Sequence, residues 1–172
     1  MQERVILLGP TGIEKKDVIK GLSEFAKTQA GQWGFEWVDF EHSYLGAILT
    51  SRDMEFPGYM DAPDETQREL WLAAWQELTT AIHVNSSDRH ILLGLHAVIT
   101  RLTTGTRCSI DIPSVVAFRP TKVFVLIDDI YMMWRRTEER ARGQGYKGRP
   151  SLVQLLDARR AELLVGSLIA TR

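Results

Sequence analysis

The sequence predicts an α/β domain with three layers, α/β/α, built around an open parallel sheet. Four mostly apolar runs, at residues 5–8, 35–40, 90–98 and 121–129, alternate with segments of helical periodicity. Apolar rather than strictly alternating runs are typical of strands that are covered on both faces of a parallel sheet. Strand–helix alternation favours crossover connections. Ligands of such sheets bind beyond the carboxyl ends of the strands, so functional residues are expected at those ends.

The composition indicates a single globular domain, which we place at residues 4–172. Of the 172 residues, 44% are hydrophobic and 25% charged, and the net charge is -1. A chain of this length can bury a core without disulfides, and its charge gives no bulk attraction to nucleic acid or to a membrane. The single cysteine, Cys108, favours a reducing compartment. No apolar run approaches the ~20 residues that span a bilayer, and no signal peptide is recognisable, so we expect a soluble, cytoplasmic protein.

The first half of the chain predicts two strands, two helices and a loop before one long helix. These first elements fall at residues 5–8, 13–28, 35–40, 42–54 and 54–63, the last being a loop because it contains two prolines. The long helix begins at Asp64, where Asp64 and Gln67 match the capping-box pattern. Its apolar stripe is predicted to pack in the core and consists of Trp71, Ala74, Trp75, Leu78 and Ile82.

The second half predicts a strand, a loop, a strand, a helix and a basic glycine-rich loop. These elements fall at residues 90–98, 100–113, 121–129, 130–142 and 141–150. A last helix follows Ser151, with Gln154 again completing a capping-box pattern. Four leucines of this helix are predicted to share a face: Leu152, Leu155, Leu156 and Leu163.

The stretch GPTGIEKK, at residues 9–16, has the context of a phosphate-binding loop. A buried strand turns on Gly9 and Gly12 and enters a helix, whose first N–H groups and positive dipole end bind phosphate. Lys15 stands where the pattern G-x-x-x-x-G-K-[ST] has its lysine. The alternative is a plain strand-to-helix turn that carries glycines.

Three residues differ from those expected in a functional magnesium-dependent phosphate-binding site. Glu14 replaces a glycine, Lys16 replaces the hydroxyl that holds magnesium, and Gly94 ends the strand that would supply a second magnesium-anchoring acid. These changes predict loss of metal-dependent phosphoryl transfer, or a reorganised site in which Lys16 supplies positive charge.

Two further groups of side chains leave alternatives open. Asp128 and Asp129 are either an acid pair at a strand end or a helix N-cap with a first-turn charge. His90 and His96 lack an accompanying cysteine or acid at ligand spacing, so we expect no metal site there.

Five segments together resemble the archaeal-type adenylate kinases of the P-loop nucleoside monophosphate kinase superfamily. They are RVILLGPTGIEKKDVIKGL, FEWVDFEHSYL, DETQRELW, HILLGLHAVIT and IDIPSVVAFRPTKVFVLIDD. Their order and spacing follow the family from residue 4 to residue 170, with a degenerate Walker A loop. The resemblance implies a P-loop NTPase fold of the nucleotide-kinase type.

The resemblance also implies roles for individual residues. The donor phosphates would be bound by Gly9, Thr11, Gly12 and Lys15. Lys16 departs from the family and would bind phosphate only in the reorganised site. The acceptor side would be bordered by Asp39, His42 and His96. Residues 135–149 would form a lid, unless they are simply a solvated basic loop. Its guanidinium groups grip phosphate bidentately and would come from Arg136, Arg140, Arg142 and Arg149. The groups closest to catalysis would be Lys15, Arg136 and Arg142.

These implications lead to one preferred function and two alternatives. We expect binding of ATP or another nucleotide by a diverged, pseudokinase-like domain with weak or absent phosphoryl transfer, and with magnesium binding in doubt. The alternatives are an active, adenylate-type nucleotide kinase and a non-catalytic protein-interaction module. The family continues into one more strand, so we also expect an unpaired sheet edge, open to an oligomer partner or another chain.

Overall fold

The computed structural model describes residues 3–10, 13, 15–30, 35–84, 90–101, 105–144 and 150–171. The elements up to the long helix are β1 (Arg4–Leu8), α1 (Lys15–Ala30), β2 (Phe35–Asp39), a π-helical turn (Glu41–Leu45), α2 (Gly46–Ser51), α3 (Phe56–Asp61) and α4 (Asp64–Val84). The later elements are β3 (His90–Gly94), β4 (Val98–Arg101), β5 (Gly105–Cys108), α5 (Ile112–Ala117), β6 (Lys122–Val125), α6 (Ile130–Gln144) and α7 (Leu152–Ala170).

The central sheet is parallel and has the strand order β2-β3-β1-β6. Its two faces bury alternate residues of β1, as the period-2 geometry of a strand requires. On one face, Ile19 of α1 packs against Val5 and Leu7. On the other, Ile6 and Leu8 pack into the larger core that also holds α4, α5 and α7. The predicted three-layer α/β/α architecture is confirmed.

Aromatic side chains fill the larger core beside β2. The rings of Trp71 and Trp75 on α4 stack with centroids 4.9 Å apart, and Phe40 contacts both. Burial of each such side chain contributes about 1.5–3 kcal/mol or more. The predicted α4 stripe is therefore the anchor that fixes the end of β2 against the helical layer.

Strand register brings the carboxyl ends of the strands to one edge. Asp39 of β2 pairs with Gly94 of β3, Leu7 of β1 pairs with the same glycine, and Leu8 pairs with Val125 of β6. The segments that leave these strands therefore start side by side, as predicted for ligand-binding loops of this sheet class.

Two segments with proline are helical rather than loops. Residues 56–61 form α3, and residues 112–117 form α5, each with a proline in its first turn. A proline is tolerated there because the N–H that it lacks has no partner within the helix. Asp111 caps α5 by accepting the N–H of Ser114. The prolines lie in first helical turns here, where loops were predicted.

The segment predicted as a loop at residues 100–113 contains a strand pair instead. β4 and β5 pair antiparallel, Val98 opposite Cys108, and Gly105 has a φ of +82°, a conformation that favours glycine. The predicted third strand correspondingly ends at Gly94 rather than Val98.

Not every apolar residue of the helices lies on a buried face. In α1 Ile19 is buried, whereas Val18 and Leu22 are exposed. In α4 the Gln67 side-chain amide donates to backbone carbonyls, among them that of Tyr59 at 2.6 Å. In α7 the capping box of Ser151 and Gln154 is confirmed, but of the four predicted leucines Leu152 and Leu163 are exposed. The buried stripe of α7 is Leu155, Ala158, Glu162, Val165, Gly166 and Ile169.

No helix in the described part of the chain is long and apolar enough to cross a membrane.

Candidate functional site

Lys15 is the centre of a buried charged cluster at the carboxyl edge of the sheet. It is the first residue of α1 and only 8% exposed, and its Nζ donates to the carbonyl of Gly9 at 2.6 Å. A buried ammonium group is costly unless hydrogen bonds and opposite charges compensate it. Its charge favours the ionised form of two acids of this cluster, Glu41 and Glu162.

Glu41 follows the end of β2 and begins the π-helical turn, a feature often found at functional sites. Its Oε1 accepts the backbone N–H of His96 at 2.6 Å and lies 3.4 Å from the Nδ1 atom of His96. Burial acts to raise the pKa of Glu41, but His96 and Lys15 outweigh it, so the pKa lies below its ordinary value. Glu41 is therefore ionised at neutral pH.

Glu162 enters the same cluster from α7 and is fully buried. Its Oε1 accepts two successive backbone N–H groups, from Ala97 at 3.0 Å and Val98 at 3.2 Å. Burial raises the pKa of Glu162 to about 7, against the opposing effect of Lys15 and the two hydrogen bonds. Two carboxylates thus hold three consecutive N–H groups of the turn after β3.

The structure brings together Gly9, Lys15 and His96 of the predicted site residues. Asp39 and His42 lie on either side of Glu41 in the chain and pair with each other, the His42 Nδ1 atom lying 3.1 Å from the Asp39 carboxylate. The other predicted residues of the loop and lid are less fully described. Thr11, Gly12, Glu14 and Arg149 lie outside the described residues, and for Lys16, Arg140 and Arg142 the structure describes only the helical backbone.

Arg136 of α6 is anchored at the end of β6. Its guanidinium group donates to Asp128 at 2.5 Å, and this hydrogen bond holds the pKa of Asp128 below its usual value. Asp129 accepts the N–H of Met132 at 2.9 Å, which confirms the helix-cap interpretation for this residue. Residues 135–144 belong to α6 rather than to a loop, and residues 145–149 are not described, so the lid remains a prediction.

The absence of an acid at position 94 has a packing reason that was not evident from the sequence. A Cβ atom at this position would lie 2.2 Å from the Trp37 ring, so no acid fits at this strand end without moving the indole. Among the described residues, no three His, Cys, Asp or Glu side chains converge as a metal site would need.

Sequence reasoning missed Glu41 and Glu162. Glu162 falls on the same helical stripe as Leu155, Ala158 and Val165, and an acid in a buried stripe is the signal that could have revealed it. Glu41 could have been found as an acid directly beyond a strand end.

Two shallow concave surfaces lie away from the charged cluster. One, of about 380 Å³, lies at the amino ends of the strands beside Arg4, Trp75 and Phe118. The other, of about 500 Å³, lies between α6 and α7 beside Trp134 and Leu152. We take the charged cluster as the candidate functional site, because it places a buried lysine and two acids with shifted pKa values at the carboxyl edge of the sheet, and such groups are frequent at functional sites.

Comparison with known proteins identifies the type of fold. No protein-family model matches the chain, and no curated protein matches its sequence. In structure the chain is similar to shikimate kinase from Acinetobacter baumannii in complex with shikimate, with a TM-score of 0.55 and 16% identity. The match covers 99% of this chain and 81% of that chain. The narrower resemblance to archaeal-type adenylate kinases stays a prediction. The parallel sheet and this likeness together show that the chain has the P-loop kinase-like fold.

Proposed function

We propose that the chain binds a nucleotide, with its phosphates at the loop between β1 and α1, and that its phosphoryl transfer is weak or absent. One observation carries this proposal. Lys15, in the position of a phosphate-binding lysine, is buried at the N-terminus of α1 with its ammonium group hydrogen-bonded to Gly9. Phosphate oxygens are better acceptors for that ammonium than a carbonyl, and the first N–H groups of α1 add to their binding.

The residues fit nucleotide phosphates better than they fit a magnesium ion. When bound, magnesium would neutralise charge on the phosphates during transfer. Lys16 stands where its hydroxyl ligand is expected, and Trp37 occupies the space beside Gly94 where an acid is expected. We therefore expect nucleotide binding that does not depend on magnesium.

An active kinase is the alternative, and the ionised Glu41 favours it. A carboxylate next to His96, at the predicted acceptor side, can accept the proton of a hydroxyl acceptor such as shikimate, whereas a nucleoside monophosphate such as AMP is phosphorylated on a phosphate oxygen and needs no such base. In this alternative Asp39, His42 and His96 would line the acceptor, and Arg136 would contact the transferred phosphoryl group.

Calorimetric titration of ATP, ADP and AMP, each with and without magnesium, tests the proposal. We expect ATP to bind in both conditions, with affinities that differ by less than about tenfold. ADP release in the presence of magnesium and either AMP or shikimate tests the alternative. Turnover with either acceptor, abolished by Lys15→Ala, would establish the active kinase and contradict weak transfer. Absence of binding by all three nucleotides would refute the main proposal.

A second candidate function is protein interaction along β6. This strand is at the edge of the described sheet, and the side chains of Phe124 and Ile127 beside it are 53% and 63% exposed. Exposed apolar strands at a sheet edge pair readily with other chains. Light scattering over a range of concentrations tests self-association. We expect a dimer that Phe124→Lys dissociates, whereas a monomer at every concentration would exclude pairing between copies.

A further inference from the structure

Glu162 is an acid at a core position, and its burial needs an explanation. It lies on the buried stripe of α7 between Ala158 and Val165, with no exposed surface. Replacing such a group with an apolar residue usually costs little, whereas an ionised carboxylate in the interior needs compensating partners. The partners of Glu162 therefore indicate what it does.

The two oxygens of Glu162 have different surroundings. Oε1 is held by the N–H groups of Ala97 and Val98, which fixes the carboxylate against the turn after β3. Oε2 is equally buried and has no hydrogen-bond partner among the described residues. One oxygen thus positions the group, and the other remains able to carry a proton.

The groups that act on Glu162 are few. Lys15 from α1 favours its ionised form, Glu41 from the π-helical turn opposes it, and the thiol of Cys108 on β5 is near enough to be affected by it. The other charged side chains that the structure describes on the elements packed against α7 are paired elsewhere or at least partly exposed. They are Arg107 with Asp64, Asp111 with Arg68, Arg136 with Asp128, Arg135 with Glu139, the half-buried Glu138 and the exposed Lys122.

Two effects of a bound phosphate act on Glu162 in the same direction. The phosphate adds negative charge beside the carboxylate, and it draws the Lys15 ammonium group toward itself. Both disfavour the ionised carboxylate. Because burial already raises the pKa of Glu162 to about 7, a further rise carries its titration above neutral pH.

We propose that Glu162 is the positioning residue of Lys15: its carboxylate balances the lysine charge before a phosphate binds and takes up one proton when a phosphate occupies Lys15. This inference rests on the proposed nucleotide binding. The proton comes from solvent and adds to Oε2, and no covalent bond of the ligand changes. Nucleotide affinity then falls as the pH rises above the pKa of Glu162 in the ligand-free protein, by up to about tenfold per pH unit.

Calorimetry of ATP binding without magnesium, at about pH 8 in buffers of different ionisation enthalpy, measures the proton directly. At this pH the phosphates of ATP are already deprotonated, because their second pKa values are about 6. We expect the wild-type protein to take up a large fraction of one proton per ATP and Glu162→Gln to take up almost none. The variant should also bind ATP more tightly than the wild type at about pH 8, with a flatter pH dependence. Asp157→Asn, an exposed acid on the same helix, should behave as the wild type.

The outcomes separate the inference from the function on which it rests. Binding of ATP with no proton uptake, or with equal uptake in Glu162→Gln, overturns the inference and leaves nucleotide binding intact. Absence of ATP binding by the wild type overturns both. If Glu162→Gln does not fold, the wild-type measurement alone decides, since a proton count near zero at about pH 8 contradicts the proposal.

Discussion

At the scale of single residues, Glu162 makes the stability of the fold depend on pH. Its pKa is raised from 4.5 to about 7, so between these values the native state binds more protons than the unfolded state. Stability contributed by this group is therefore present below about pH 4.5 and is lost as the pH rises through about 7.

We predict that Glu162→Gln raises the free energy of unfolding by roughly 3 kcal/mol at about pH 8 and changes it little at about pH 4. The reason is that glutamine resembles the protonated acid, which the native state prefers. Urea unfolding across this pH range measures the difference, with Asp157→Asn as the exposed control on α7. An effect of equal size at both pH values would mean that the charge of Glu162 is not responsible.

Gly94 gives a second prediction at this scale. A methyl group there would clash with the Trp37 ring, so we expect Gly94→Ala to destabilise the protein by roughly 1–3 kcal/mol. Gly21→Ala is the matched control, because no heavy atom lies within 4 Å of its Cβ position on α1, and it should stabilise by roughly 0.5–1 kcal/mol. Chemical denaturation measures the free energy of unfolding of both variants. An unchanged denaturation midpoint for Gly94→Ala would contradict the prediction and show that the Trp37 indole moves aside without cost.

At the scale of elements, the proposed magnesium-independent binding of nucleotide depends on the sequence of the loop between β1 and α1. The double substitution Glu14→Gly and Lys16→Thr restores the sequence pattern G-x-x-x-x-G-K-[ST] of a magnesium-dependent phosphate-binding loop. We predict that this double variant binds ATP more tightly with magnesium than without it, unlike the wild type, since threonine supplies a ligand oxygen and the negative charge of Glu14 is gone. Calorimetry with and without magnesium measures the change. Equal ATP affinity of the double variant with and without magnesium would refute our interpretation of this loop.

Helix α7 shows what sequence patterns determine and what they leave open. The capping box of Ser151 and Gln154 is local chemistry, so the start of the helix was predictable. The buried face was not, because leucines occur on several sides of the helix and Glu162 occupies a core position. Which side packs inward is decided by the strands β4, β5 and β6, against which α7 packs, and these are tertiary contacts. For the same reason the short β4–β5 pair, rich in threonine and joined near Gly105, was predicted as a loop.

At the scale of the whole molecule, the three-layer fold was predictable because continuous apolar strands specify a parallel sheet covered on both faces. The carboxyl edge, and with it Gly9, Lys15 and His96, followed from that sheet. The acids around Lys15 did not follow, since Glu41 and Glu162 are 121 positions apart in the chain, as their numbers show, and meet only in the folded protein. The location of the candidate site was thus predictable from the sequence, whereas the acids that surround Lys15 were not.

The most direct test of the central claim, that Lys15 binds a nucleotide phosphate, is the affinity of ATP without magnesium for the wild type, Lys15→Ala and Lys20→Ala. Lys20 is an exposed lysine on the same helix and serves as the matched control. Circular dichroism first verifies that each variant is folded. A hydrogen bond to a charged group contributes about 1.5–3 kcal/mol, so we predict that Lys15→Ala weakens ATP binding at least about tenfold and that Lys20→Ala changes it less than about twofold. Equal ATP affinity for the wild type and a folded Lys15→Ala protein would contradict the account.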